Sequence, residues 1–270
     1  MIPIVFFSKE LRSLSVPQLI DALHRMRCDG IDLCVREGYP INPDNVKSEL
    51  PQAARRFREA GLKIPMISVA TDLTDPHLPV VDRLLGACHD AGVALLKPGY
   101  WRFVEGDYWH QVDQVRRSLE VWQQKATAQG VRIAWHTHSG YNLGLNAAAM
   151  MHLVRGFNPA HIGVYLDTTH LLLHGEPLPM AIDMVRPHLC VIGVKDVLRV
   201  RQPDRPGAFA ATPIGEGMVD FPGLVRAMRQ RDLAVPLTLH TEYRVGSEEE
   251  RIAQAGRDVA YLRQLLGAQS

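Results

Sequence analysis

A chain of 270 residues with 30 basic and 29 acidic side chains, 46% hydrophobic and 22% charged, has the balance of an ordinary globular protein. Its formal net charge of +1 gives no field that would hold a polyanion, so no nucleic-acid partner is expected. No apolar run approaches the ~20 residues that cross a bilayer, so no membrane partner is expected either.

The elements alternate along the chain. MIPIVFF is apolar but lacks a basic leader and runs straight into SKELR, so it reads as a first strand and not as a signal peptide. Ser15-Val16-Pro17 opens a helix with a hydroxyl cap and an early proline. GIDLCV (30–35) is the second strand. Residues 44–61 place Val46, Leu50, Ala53, Ala54 and Phe57 at helical spacing and stop at Gly61. KIPMISVA is the third strand, and a helix over 79–92 again stops at glycine. VALLKPG is the fourth strand, followed by a long helix over 110–130. VRIAWHTH is the fifth, with a helix at 145–156, and HIGVYLDT the sixth, with a helix at 178–187. LCVIGVKDV is the seventh, with a helix at 221–231, and LTLHTEY the eighth, with a helix at 247–267.

Strict alternation of eight strands and eight helices predicts a parallel sheet, and at this length the favoured closure is a single (β/α)8 TIM barrel over residues 1–270. The competing doubly wound sheet would carry a glycine-rich turn after its first strand, where this chain has SKELRSLS. The one long connection, roughly 197–220, is expected to be a lid or a contact surface, and a homo-oligomer is possible. Cys28, Cys34, Cys88 and Cys190 have no CxxC spacing and sit in apolar patterns, which points to reduced thiols in a cytoplasmic protein.

In such a barrel the site lies at the carboxyl ends of the strands. The polar residues there are Arg36 and Glu37, Lys97, His136 and His138, Asp167 and His170, Lys195 and Asp196, and His240 and Glu242. Side chains two apart on a strand share a face, so His136 pairs with His138, and His240 with Glu242. A lone histidine at a strand end is most often a hydrogen-bonded structural residue. Imidazoles and carboxylates converging from several strands are instead a divalent-metal constellation. Asp167 and Asp196 have the alternative role of helix caps, and for Asp196 a cap or a salt bridge is the better reading. Gly215-Glu216-Gly217 is expected to be a tight turn, and Trp101 either packs on a sugar face or joins the core.

GIDLCVREGYP, WHTHSG, LDTTH, VKD and IGEGMVDFPGLVRAM, in this order and strand placement, resemble the sugar phosphate isomerase/epimerase superfamily of xylose isomerase-like barrels over the full length. The resemblance implies one divalent metal held by a Glu, an Asp, a His and a Glu from strands five to eight. At those places this chain has His136, Asp167, Gly193 and either His240 or Glu242. His170 completes the DxxH pattern after Asp167, and Lys195-Asp196 match the end of the HxKD pattern whose histidine is replaced by Gly193. The chain thus resembles a divergent branch with HTHSG and HTEY strand ends. The implied cofactor is a divalent metal (manganese, zinc, magnesium or iron) held by His136, Asp167, His240 and Glu242, with His138 as a substitute for His136.

The implied reaction moves a proton next to a sugar carbonyl. Glu242 and a histidine (His136 or His240) would act as bases, and Lys195 would hold a substrate oxygen. Arg36, Lys97, His138 and His170 are the expected substrate-binding residues, and the partner is a small sugar-like molecule. The alternatives are a lyase, dehydratase or hydrolase using the same enolate chemistry, and a metal-free binding or partner barrel. A DNA repair endonuclease of the same superfamily would want more ligands and a basic face.

Overall fold

The structure is a computed structural model that describes residues 2–201 and 206–267. Eight parallel strands close a barrel: β1 (Ile4–Phe7), β2 (Gly30–Cys34), β3 (Lys63–Ser68), β4 (Leu95–Lys97), β5 (Arg132–His136), β6 (Ile162–Asp167), β7 (Leu189–Val194) and, after the hairpin β8 (Asp196–Arg201) and β9 (Pro206–Thr212), β10 (Leu237–Leu239). Closure is made by β1 on β10, with Ile4 opposite Leu237 and Phe6 opposite Leu239. The two ends of the sequence therefore meet in one seam.

The crossovers are α1 (Val16–Met26), α2 (Val46–Glu59), α3 (Pro79–Ala91), α4 (Tyr108–Gln129), α5 (Ala147–Val154), α6 (Thr168–Leu173) with α7 (Leu178–Val185), and α8 (Phe221–Arg229); α9 (Glu248–Gly267) closes the chain. Local chemistry sets their ends. Ser15 and Gln18 form a capping box on α1. Gly92 and Gly130 end α3 and α4 in the left-handed conformation.

The period of two along each strand sorts the residues. One face joins the helices in the main core, as with Ile67, Leu96, Ile133, Val164, Ile192 and Leu239. The other face points into the barrel, where Met66, Leu95, Ala134, Tyr165 and Val191 pack as a smaller cluster. Continuing the inward face to the carboxyl ends gives Asp32, Ser68, Lys97, His136, Asp167 and His240, all buried. The polar floor of the mouth is thus the last layer of the barrel filling.

Two elements differ from the sequence reading. The connection after the seventh strand is not a plain loop: residues 196–212 form the antiparallel hairpin β8–β9, although its stretch 202–205 lies outside the described residues. The residues after Asp167 form the short helix α6, nucleated when the Asp167 carboxylate accepts from the His170 amide.

Candidate active site

The mouth is lined by Phe7, Lys9, Arg36, Ser68, Thr71, Lys97, Tyr100, His136, His138, Tyr165, His170, Lys195, His240 and Glu242, around a cavity of about 100 Å³. Eight of the nine residues to which the sequence assigns a catalytic, substrate-binding or metal-binding role therefore share one cavity. The ninth, Asp167, lies directly behind it, with its carboxylate 3.4 Å from His136 Nε2 and 3.8 Å from Lys195 Nζ.

At the bottom, the Asp32 carboxylate accepts from Ser68 Oγ at 2.7 Å and Thr238 Oγ1 at 3.3 Å. Burial outweighs these bonds and pushes its carboxyl up to about 6. Above it, Lys97 donates to Tyr100 Oη at 2.9 Å and lies 4.2 Å from the centre of that ring. Burial, helped by Arg36, brings the Lys97 amine down to about 7. Lys97 is thus partly neutral at physiological pH.

Asp167 divides its two oxygens. Oδ1 accepts from the His170 amide at 3.1 Å, while Oδ2 is buried without a hydrogen-bond partner. Both ring nitrogens of His136 are likewise buried and unpartnered. Burial holds the His136 imidazole well below its ordinary value, so it is neutral. His170 and His240 are lowered by burial to about 3 and about 4. Burial raises the Asp167 carboxyl, but Lys195 and the neighbouring imidazoles outweigh it and keep the group ionised. Glu242 is held well below the carboxylate range: burial would raise it, but Lys195, His240 and Lys9 prevail.

Lys195 is the hub. Its ammonium donates to Glu242 Oε2 at 3.1 Å, lies 3.3 Å from His170 Nε2 and stands 3.8 Å from Asp167 Oδ2. Burial would lower its value, but the two carboxylates raise it, so it stays protonated. Glu242 also accepts from Lys9. His170 is oriented by Ser139, whose Oγ is 2.8 Å from Nδ1, and His138 lies against it with ring centres 4.2 Å apart.

The four expected metal ligands reach the mouth but do not converge. Among the described residues, no group of three or more His, Cys, Asp or Glu side chains is arranged to hold a metal ion. The reason is local. Gly193 offers no ligand, and the space a side chain there would need is filled: a Cβ at 193 would stand 2.7 Å from Tyr165 Cε2. The Tyr165 hydroxyl, kept protonated by burial, shares a hydrogen bond with His240 Nε2 and occupies that nitrogen. Glu242 is shared between two ammonium groups. His136 and Asp167 alone retain free donor atoms facing each other. The donor set does not fit a resident divalent ion.

Several participants were not singled out in the sequence: Lys9, Asp32, Ser68, Tyr100 and Tyr165. Tyr165 sits two residues before Asp167, so strand alternation already places it on the inward face. Other expectations are corrected. Asp196 caps no helix; its carboxylate accepts four backbone amides, those of Val197, Gly215, Gly217 and Val219. The turn at 215–217 is anchored by that carboxylate. His188 is buried, its Nδ1 2.8 Å from the Ile162 carbonyl. Trp101 stacks on Trp135 with ring centres 3.7 Å apart, which gives it a packing role.

Fold and mouth together define an α/β barrel with a polar, charge-paired centre at the carboxyl end of its strands. The chain belongs to the xylose isomerase-like TIM barrel family, whose family model matches residues 20–265. No curated protein matches it significantly. Similar solved structures include the apo form of 3-keto-D-glucoside 4-epimerase from E. coli, at 14% identity and a TM-score of 0.76, covering 98% of this chain and 100% of that one. D-psicose 3-epimerase from Clostridium cellulolyticum H10, with D-tagatose, is 13% identical with a TM-score of 0.77, covering 98% and 100%. The probable 3-DHS dehydratase of petrobactin synthesis from Bacillus anthracis is 13% identical with a TM-score of 0.70, covering all of both chains. At these identities the likeness is one of fold.

Proposed function

We propose that the protein is a sugar isomerase or epimerase that moves a proton on a carbon next to a carbonyl. The observation that carries this reading is the opposition of titratable groups across the mouth. In the closed strand order, β4 and β10 are four strands apart in either direction, so Lys97 faces the His240–Glu242 end of β10. Two proton-handling groups on opposite walls are what inversion or transfer at a planar enolate carbon requires. Lys97, near pH 7, is the base best matched to neutral solution. Glu242 is the group on the facing wall, and its basicity rises when a bound substrate draws Lys195 away from it. The unpartnered His136 ring and Asp167 Oδ2 suit substrate hydroxyls. The names of the similar epimerases agree with this chemistry.

A second cleft of about 650 Å³ adjoins the mouth and shares Thr71 and Tyr100 with it. The small cavity takes the reacting end and the cleft takes the remainder, so the substrate is a sugar derivative larger than a monosaccharide. The test is incubation in deuterated water with a panel of keto-sugars and their glycosides, read by NMR. Deuterium at one carbon beside the carbonyl, with a new epimer or isomer, is the expected result. Loss of a leaving group would move the reading to a lyase, and no exchange with any member would overturn it.

A further inference from the structure

We infer that the Lys195 ammonium stands where a divalent cation would otherwise sit, and that the proton transfer proposed above, on which this inference rests, runs without a metal. Three observations carry it.

The first is steric. Gly193 leaves the seventh strand without a ligand, and the Tyr165 ring fills the volume a ligand would use, with 2.7 Å from its Cε2 to any Cβ built there. The pair is complementary: a large side chain on β6 fits only because its neighbour on β7 has none. The same tyrosine ties up His240 through its hydroxyl.

The second is the arrangement of donors. Glu242 Oε2, His170 Nε2 and Asp167 Oδ2, which are groups suited to a metal, are grouped at 3.1, 3.3 and 3.8 Å around one nitrogen. Those are distances of ammonium hydrogen bonding and ion pairing, with Lys195 already in the middle.

The third is charge. Asp167 and Glu242 are paired with the ammonium groups of Lys195 and Lys9. A dication bound at the free His136–Asp167 pair would lie against the Lys195 ammonium in a buried site. Two uncompensated positive charges there would be strongly unfavourable.

The ammonium then does the electrostatic work. A base takes the proton from the carbon beside the carbonyl, and that C–H electron pair becomes the C=C bond. The carbonyl π pair moves onto oxygen, next to Lys195. Return of a proton to the same carbon from the other face regenerates the carbonyl as the epimer. Return to the former carbonyl carbon gives the isomer, provided the hydroxyl proton on the adjacent carbon passes to the enolate oxygen, so that the old carbonyl becomes a hydroxyl and the old hydroxyl a carbonyl. No electrons are gained or lost, and no co-reactant is consumed.

The deciding experiment is metal uptake, which needs no substrate. Wild-type protein is stripped with chelator, then equilibrated with manganese, zinc or magnesium and analysed for bound metal. Uptake far below one equivalent is expected. Near-stoichiometric uptake in wild type that disappears in Asp167→Asn overturns the inference. Where a ketose exchanges deuterium, the rate should be unchanged by chelator. It should fall about 10²–10³-fold in Lys195→Met and recover partly in Lys195→Arg. A chelator-sensitive rate restored by added metal also overturns it. Absence of exchange with every ketose defeats the proton-transfer reading alone, since metal uptake is measured independently.

Discussion

Lys97 sits between two influences of opposite sign: burial and Arg36 lower its value, and Asp32 raises it, leaving it at about 7. A base of this kind is protonated below pH 7 and free above it. Deuterium exchange should therefore rise with pH through about 7 and level off, and Lys97→Gln should lose about 10²–10⁴-fold of the rate. A rate flat from pH 6 to 8 would remove Lys97 from that role. Gly193 gives a second prediction at this scale. Gly193→Ala drives a methyl against the Tyr165 ring, at 2.7 Å. Overpacking of this kind costs about 1–3 kcal/mol, which a thermal melt will register. Gly193→Ala with Tyr165→Phe should recover little, because the clash is with the ring and not the hydroxyl. The inward-facing residues were legible one by one, since strand alternation and the barrel rule place His136, Asp167, Lys195 and His240 at the mouth. Their pairings were not. That Tyr165 binds His240, and that Lys9 reaches Glu242 from 233 residues away, depends on strand order and the seam, which no local pattern encodes.

The hairpin β8–β9 is the element the sequence concealed most fully. Its strands lie beside the barrel as a separate two-stranded sheet, and Arg199 and Phe209 are exposed while Val197 is buried. A glycine and two prolines within 203–207 break the alternation that would announce a strand. By contrast the helices α3 and α4 were legible almost to the residue, because amphipathic spacing and a terminal glycine coincide. The hairpin is tied to the barrel at its base by Asp196. Four backbone amides converge on that one carboxylate, and Gly217 permits the approach: a Cβ there would stand 2.2 Å from Asp196 Oδ1. Asp196→Ala should leave those amides unpaired at a cost of about 1–3 kcal/mol. Hydrogen exchange is the measurement that checks it. Amides of 197–201 and 213–219 should lose protection, while those of β5 and β6 keep theirs. Uniform loss across the barrel would mean that Asp196 supports the whole fold and not the hairpin.

At the scale of the whole molecule, the seam of β1 on β10 makes the barrel depend on both ends of its sequence at once, so it should unfold as one unit. The buried ionisable groups then set how that unit responds to acid. His240 and His170, ordinarily near 6.5, are lowered to about 4 and about 3, and His136 is lowered as well, all chiefly by burial. Each binds a proton more readily in the unfolded chain. Their contribution is therefore complete above about 6.5 and is lost as pH falls toward 4. Asp32 acts in the other direction, since its carboxyl is raised to about 6 and the folded state gains protons there first. With His138 also lowered and Asp258 also raised by burial, four imidazoles oppose two carboxyls, so the net effect of acid is destabilising, on the order of a few kcal/mol between pH 7 and 4.5. For a chain of this size that corresponds to a fall in Tm of about 5–10 °C. Lys97 adds little in this window, because its lowered value changes stability mainly above pH 7. Below about pH 4.5 the unfolded chain takes protons on the carboxylates of Asp167 and Glu242, which the fold holds ionised, and the loss steepens. Circular dichroism melts at pH 7, 6, 5 and 4.5 follow the first phase. A Tm constant across that range would mean that the imidazoles at the mouth are not held neutral in the folded protein.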